Sequence, residues 1–416
     1  MAVTVDKTPV EAAYSKNPLP LILSTDTDLS TVNLKIGIIL GYNNGVEAKE
    51  YTIELAPDAD GVVVFDLAEA LDGLIEEEYD ITLADAPNLT ELVAPGGDLE
   101  NCLCAHTIKP FTIQYYEVSG DPPTASTPEE LAADMAVVIG GVKWEYHPRT
   151  KYFEDWVFPL FGASAPKEIP FLTWQPDTKK IYKWQHEYLY FFNLDQTDFH
   201  LLVECFDDVQ AIGTSFTVPI DDIGTYSIYR LPVGYNQLDI DSELPDPFNV
   251  DWYKVAVEGP DGLYSVYRTF KIETKKYAHE RFFLFMNSLG GWDTVRTTGE
   301  GEHNVDYKWT AALRKLDTDY NGLKPVRKIF NKTNQETFKA TTGFRRKSEI
   351  TWMMELVNSS RAYEILNYPT DPFLVPIDFT SKKLELFKDK NFLQYAQFEY
   401  QYSFDNPVSG PLAPWM

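Results

Sequence analysis

Residues Ala396–Asp405 read AQFEYQYSFD. Phe398, Tyr400, Tyr402 and Phe404 alternate with Gln397, Glu399, Gln401 and Ser403. Successive side chains of a strand point to opposite faces, so this segment is predicted to be a strand with one aromatic face and one polar face. A face of that kind belongs against a core. The period of two recurs far upstream in LKIGIIL, where Leu34, Ile36, Ile38 and Leu40 alternate. The class of the fold follows from such segments: mainly β.

Working outward, YTIEL (Tyr51, Ile53, Leu55) and VVVF (Val62–Phe65) read as strands, with Asp58-Ala59-Asp60-Gly61 as the turn between them. Asp66 precedes LAEALDGLI and Glu69 follows three residues on, a capping-box pattern for a short helix carrying Leu67, Leu71, Leu74 and Ile75. Strands are expected again at Tyr79–Leu83 and Thr107–Tyr116. Residues 1–118 thus read as an acidic β-sandwich domain. GDPPTASTPEE (Gly120–Glu130) is linker-like, because its Pro, Ser and Thr sustain neither a helix nor a central strand. A short helix is expected at Pro128–Met135. Residues 119–178 combine this linker with an aromatic-rich stretch of neither period, expected to be irregular.

Strand patterns return in 179–275 with EYLYFF, HLLVECF, YSIYRLPV, WYKVAVEG and LYSVYRTFKI, which suggests a second sandwich of about immunoglobulin size. Residues 276–416 read as a C-terminal β-rich α+β domain. It opens with FFLFMNSLGGWDT, a strand and a Gly290-Gly291 turn. Strands are expected at Tyr307–Leu316 and Leu323–Ile329. A helix is expected at Ser348–Val357, with Ile350, Met353, Met354 and Val357 on one side. The expected architecture is multidomain: two β-sandwich, immunoglobulin-like units and the C-terminal domain.

Composition agrees. A chain of 416 residues has room for two to four domains. Its 25 Tyr and 25 Phe favour strands and supply anchors for an interface. The net charge of −27 is uneven: residues 1–135 hold 5 Lys+Arg against 25 Asp+Glu, and residues 276–416 hold 19 against 17. An N-terminal part so acidic is not expected to contact nucleic acid, whose phosphates need cations. It permits head-to-tail contact with the near-neutral end, and solubility alone is the plainer reading. Cys102, Cys104 and Cys205 have no disulfide-framework spacing and are expected to be reduced, buried thiols. No leader is expected, since MAVTVDKTPVEAAYSKNPLPL has no basic segment followed by an apolar core. No apolar run is long enough to span a membrane, and no membrane partner is expected.

The search for chemistry finds little. Six histidines show no H-E-x-x-H spacing, and there is no G-x-S-x-G elbow or phosphate loop. Asp58-x-Asp60-Gly61 matches three positions of a calcium loop but lacks the ligands at its first and twelfth. Asp239, Asp241, Glu243 and Asp246 form an acidic run that reads first as a solvated surface. The basic run Arg345-Arg346-Lys347 has no interleaved aromatics. No catalytic, cofactor-binding or metal residue is assigned, and no enzyme activity or cofactor is expected. Two rival classes stay open. Trp144, Trp156 and Trp174 would be sugar platforms in a carbohydrate-binding or host-adhesion module. Two acids facing each other across a cleft would make a glycan-active hydrolase.

Several motifs occur together and in order: NPLPL (17–21), VVFDLAEAL (63–71), FLTWQP (171–176), EYLYFF (187–192), YRTFKI (267–272), FFLFMNSLGGWDT (282–294), TGFRRKSEITWMMELVNSS (342–360) and FEYQYSF (398–404). With them the chain resembles a family of tail-region virion structural proteins encoded by phages and prophages of Bacteroidetes. The resemblance implies a structural role in a tail, baseplate or connector, made in the host cytoplasm and carried in the virion. The resemblance gives neither ring nor stoichiometry; the expectation that goes with such a role is a homo-oligomer, as a ring or collar, with other virion proteins as partners. The resemblance assigns no site residue.

Overall fold

The computed structural model describes residues 3–9, 12–43, 48–73, 99, 102–104, 107–131, 135–141, 169–193, 197–207, 212–221, 223–244, 249–313, 327–381 and 394–404. The chain is mainly β and divides into two compact units. One comprises Met1–Glu273 with Asn287–Trp292, the other Thr274–Met286 with Asp293–Met416.

In the first unit, β1 (Val3–Lys7), β3 (Pro20–Thr25) and β6 (Val62–Asp66) form an antiparallel sheet in the order β1-β3-β6. A larger sheet runs β2 (Ala12–Tyr14), β10 (Met135–Val138), β7 (Ile108–Ser119), β4 (Lys35–Asn43), β5 (Ala48–Leu55). The alternation in LKIGIIL is obeyed: Leu34, Ile36, Ile38 and Leu40 are all buried. Asp66 accepts hydrogen bonds from the amides of Leu19 (3.0 Å) and Ala68 (3.2 Å), and residues 68–73 form the expected helical turn. Leu67 and Leu71 are buried; the strand expected at Tyr79–Leu83 lies outside the described residues.

The helix expected at Pro128–Met135 does not form. Glu129–Glu130 (β9) and Thr124–Ala125 (β8) instead pair with β7, and Met135 opens β10. The backbone here completes hydrogen bonds along the twelve-residue β7, which outweighs a weak local helical preference. Of the aromatic-rich stretch, residues 142–168 lie outside the described residues.

Also in this unit, a sheet in the order β11 (Thr178–Ile181), β18 (Arg268–Ile272), β16 (Trp252–Gly259), β13 (His200–Asp207), β14 (Ile212–Pro219) carries β17 (Gly262–Leu263) on β16. It shares a core with the two-stranded sheet of β12 (Tyr188–Asn193) and β15 (Ser227–Pro232). Leu189, Phe191 and Tyr229 from the small sheet meet Leu201, Val203, Tyr253 and Val255 from the large one. Two sheets face to face over one apolar layer make a sandwich. Every residue of β12 is buried, so both its faces are covered and its run reads continuous rather than alternating. Gly140 and Gly290 lie in the left-handed region of φ (130° and 88°). A Cβ on Gly140 would stand 2.5 Å from the Ser288 carbonyl oxygen, and one on Gly290 2.6 Å from that of Ile139.

The second unit holds a sheet in the order β20 (Trp292–Thr297), β19 (Arg281–Met286), β23 (Ala362–Leu366), β24 (Phe373–Phe379), β25 (Gln397–Tyr402), β22 (Arg327–Thr341), β21 (Glu302–Leu313). The helix Lys347–Asn358 covers it. Glu349 in its first turn accepts a hydrogen bond from the Arg346 amide at 3.0 Å. The buried helical residues are Ile350, Trp352, Met353 and Leu356; Met354, expected with them, is half-buried. Trp352 takes the inner position because its indole N–H bonds the buried carboxylate of Asp293 at 2.8 Å.

Candidate assembly surface

Strands β21 and β22 pair from Glu302↔Lys339 to Leu313↔Arg327, with a bulge between Lys308 and Thr310. Among the described residues their far side is supported only at the base, where β22 pairs with β25 from Phe338 to Thr341. Beyond that point, among the described residues, the two strands run on as a two-stranded arm. At about 3.4 Å per residue its nine residues from Val305 to Leu313 span roughly 30 Å.

The arm has two unlike faces. His303 stacks on Phe338 with ring centroids 4.4 Å apart, and Phe338 stacks on Tyr400 at 5.3 Å. His303 therefore lies on the core face of the sheet. Val305, Tyr307, Trp309, Ala311 and Leu313 follow it at intervals of two, so they share that face. Ile329, opposite Ala311, shares it too. Out here the face is largely open to solvent: Tyr307 is 47% exposed, Trp309 51%, Ile329 53% and Leu313 81%. The other face carries Asn304, Asp306, Lys308 and Thr310. A ribbon of two strands is marginal in water, and four large apolar side chains on one face of it form a surface suited to a partner.

A buried polar cluster fixes the root. Glu364 on β23 accepts hydrogen bonds from the hydroxyls of Tyr400 (2.9 Å) and Tyr402 (3.1 Å). Burial pushes the Glu364 carboxyl above the usual range, and the two hydroxyls and the charge of Arg281 oppose that shift. Burial likewise raises both tyrosines, with the Glu364 charge adding to it. His303 and Glu336 lie 2.9 Å apart across the two strands of the arm. Further out, Asn334 stands opposite Tyr307 and Arg327 opposite Leu313.

The arm also carries charge. Its described residues, 307–313 and 327–334, hold 4 Lys+Arg and no Asp or Glu, in a chain whose net charge is −27.

The residues singled out in sequence are placed as follows. Asp58 Oδ1 accepts from the amides of Asp60 and Val62, both at 2.9 Å, so it closes a turn. Asp241 bonds the Tyr235 hydroxyl and lies 3.3 Å from Lys183, and Asp239 precedes the short helix Ile240–Glu243. Asp246 is outside the described residues, as are Trp144 and Trp156. Trp174 is partly exposed, its indole N–H held by the Ser288 hydroxyl at 3.0 Å. Arg345 pairs with Glu349 at 3.6 Å and donates to the Arg296 carbonyl, so the basic run begins by anchoring the helix. All three cysteines are buried free thiols, and burial pushes Cys205 up to about 12. Among the described residues no group of three or more His, Cys, Asp or Glu is placed to hold a metal ion, and no helix is long and apolar enough to cross a membrane.

The strand expected at Tyr307–Leu316 overlaps β21 over 307–313, and the one expected at Leu323–Ile329 overlaps only the first three residues of β22; 314–316 and 323–326 lie outside the described residues. Sequence reading did not place the arm's protrusion. The signal was present in the alternation Val305, Tyr307, Trp309, Ala311, Leu313, which describes an apolar face without saying what covers it.

No family model matches the chain, and no curated protein matches it. Among solved structures, the full extracellular region of plexin A4 matches at 8% identity and a TM-score of 0.18, over 98% of this chain and 40% of that one. The chain thus spans less than half of that structure's length, and a likeness so distant carries no argument about fold or role.

Proposed function

We propose that this chain is a structural subunit of a phage virion, in the tail, baseplate or connector region, and that it forms a ring or collar with copies of itself through contacts between β-domains. The observation that carries this reading is the arm, which presents Tyr307, Trp309, Leu313 and Ile329 to solvent on a ribbon rooted in a buried core. Exposed aromatic side chains are what interfaces use as anchors. Covering them would also stabilise a ribbon that is marginal alone. The resemblance that the ordered motifs carry, the uneven charge and the buried thiols support the same role, in which the chain works without catalysis.

The test is mass spectrometry of purified particles, with copy number and cross-linking. The expected result is many copies per particle and cross-links between identical chains. Absence from particles would overturn the reading, and a single copy per particle would overturn the ring.

A further inference from the structure

We infer that the arm of one copy adds, edge to edge, to β5 of a second copy, so that the subunits join head to tail. The inference rests on the assembly role proposed above and names the partner of that surface. Among the described residues β5 ends its sheet, as β21 ends the other. Both strands therefore offer a row of backbone N–H and C=O groups to a further strand.

The side chains match as well as the edges. Leu40, Ile38 and Ile36 on β4 are fully buried, and their cross-strand partners on β5 are Tyr51, Ile53 and Leu55. Yet Tyr51 is 44% exposed and Leu55 40%. The core face of that sheet thus runs past its own cover at β5, as the core face of the other sheet does along the arm. Joined edge to edge with these faces on one side, the two apolar stripes become continuous. On the opposite face of β5 stand Glu50, Thr52 and Glu54, and on that of β21 stand Asn304, Asp306, Lys308 and Thr310.

Charge selects this pairing over its rivals. Residues 1–135 hold 5 Lys+Arg against 25 Asp+Glu, whereas the described residues of the arm, 307–313 and 327–334, hold 4 against none. Arm against arm would bring two basic stretches together, and β5 against β5 two acidic ones. The unlike pair is attractive, and opposite potentials steer and orient association. A contact between two different patches leaves one of each free on the dimer, so it propagates into a ring or an open filament. The bulge at Lys308–Thr310 and the charged side chains restrain the arm from indiscriminate pairing.

Two full-length variants and their mixture test this by sedimentation velocity. Trp309→Ser with Leu313→Ser disables the arm; Tyr51→Ser with Leu55→Ser disables β5. All four positions are exposed, and thermal unfolding of each variant confirms that it is folded. Wild type is expected to associate, and each variant alone to associate at least about tenfold more weakly. Mixed, they should form dimers of unlike copies and nothing larger, because each supplies the surface the other lacks. Glu50→Lys and added salt should each weaken the wild-type contact. No dimer on mixing overturns the inference, as does a β5 variant that associates like wild type. A wild-type chain that stays monomeric overturns it too, yet leaves the virion role to stand or fall on the particle measurement.

Discussion

Strands β25 and β21 are written in the same alphabet and end in opposite surroundings. In β25, Phe398 and Tyr400 alternate with Gln397, Glu399 and Gln401; in β21, Tyr307 and Trp309 alternate with Asp306, Lys308 and Thr310. Both aromatic rows lie on the core face of one sheet. Phe398 and Tyr400 are buried among Phe283, Phe338 and Phe379, whereas Tyr307 and Trp309 stand about half in water. The difference is one of neighbours. β25 lies between β24 and β22 and beneath the core, while β21 is the last strand and, among the described residues, runs on past the pairing of β22 with β25. Alternation specifies a strand and the face that seeks burial. Whether that face is covered within the chain depends on elements distant in sequence.

The comparison can be broken by substitution. Tyr400→Ala should be the most damaging change in the second unit. It removes a fully buried ring, at about 3–5 kcal/mol for an aromatic truncation, and takes a hydroxyl from the buried Glu364. Chemical denaturation should show the loss. Trp309→Ala, in the matching row of β21, should change the stability of the isolated chain by no more than about 0.5 kcal/mol. A loss of several kcal/mol there would mean that the arm packs within its own chain.

A pH series sharpens the same contrast. The Glu364 carboxyl is held above its usual range, so the folded state keeps its proton more firmly than the unfolded chain. Its contribution is fully present below the unfolded value of about 4.3 and is lost as pH rises through the higher folded value. Glu364→Gln should remove that loss while one Tyr hydroxyl still finds the amide oxygen. In the first unit His186 runs the other way: burial lowers it to about 4, so stability is lost as pH falls from its ordinary value of about 6.5 towards 4. Denaturation midpoints between pH 4 and 8, with E364Q and His186→Gln as controls, separate the two.

The smallest expected effect is Lys308→Ala on the polar face of the arm. Lys308 meets Gln335 at 3.4 Å in an exposed position, and its removal should leave chain stability within about 0.5 kcal/mol. Only association should respond.

Much of the fold is legible in the sequence because so many strands are half-buried and alternate. Leu34–Leu40, Phe398–Tyr402 and the Gly290-Gly291 turn all fall where their patterns put them. β11 and β14 were missed: TKKI and IGTSFTVP carry little apolar pattern and are recruited by their neighbours β18 and β13. The Pro128–Met135 segment misled because two glutamates and two alanines suggest a helix, while β7 supplies backbone partners that no local rule anticipates. Glu364 was illegible for another reason. Nothing in AYEIL marks its glutamate as buried, and only the fold brings Tyr400 and Tyr402 over it. The arm is the mixed case, with its apolar face written plainly and its exposure decided by where β25 stops pairing.

The central claim is that the apolar face of β21 is covered in the assembled state and bare in the isolated chain. Hydrogen exchange over residues 302–313, compared between the isolated protein and purified particles, tests it most directly. Strong protection of these amides on assembly is expected, with little change across β25, which is already inside a sheet. Equal exchange over 302–313 in both states would contradict the account.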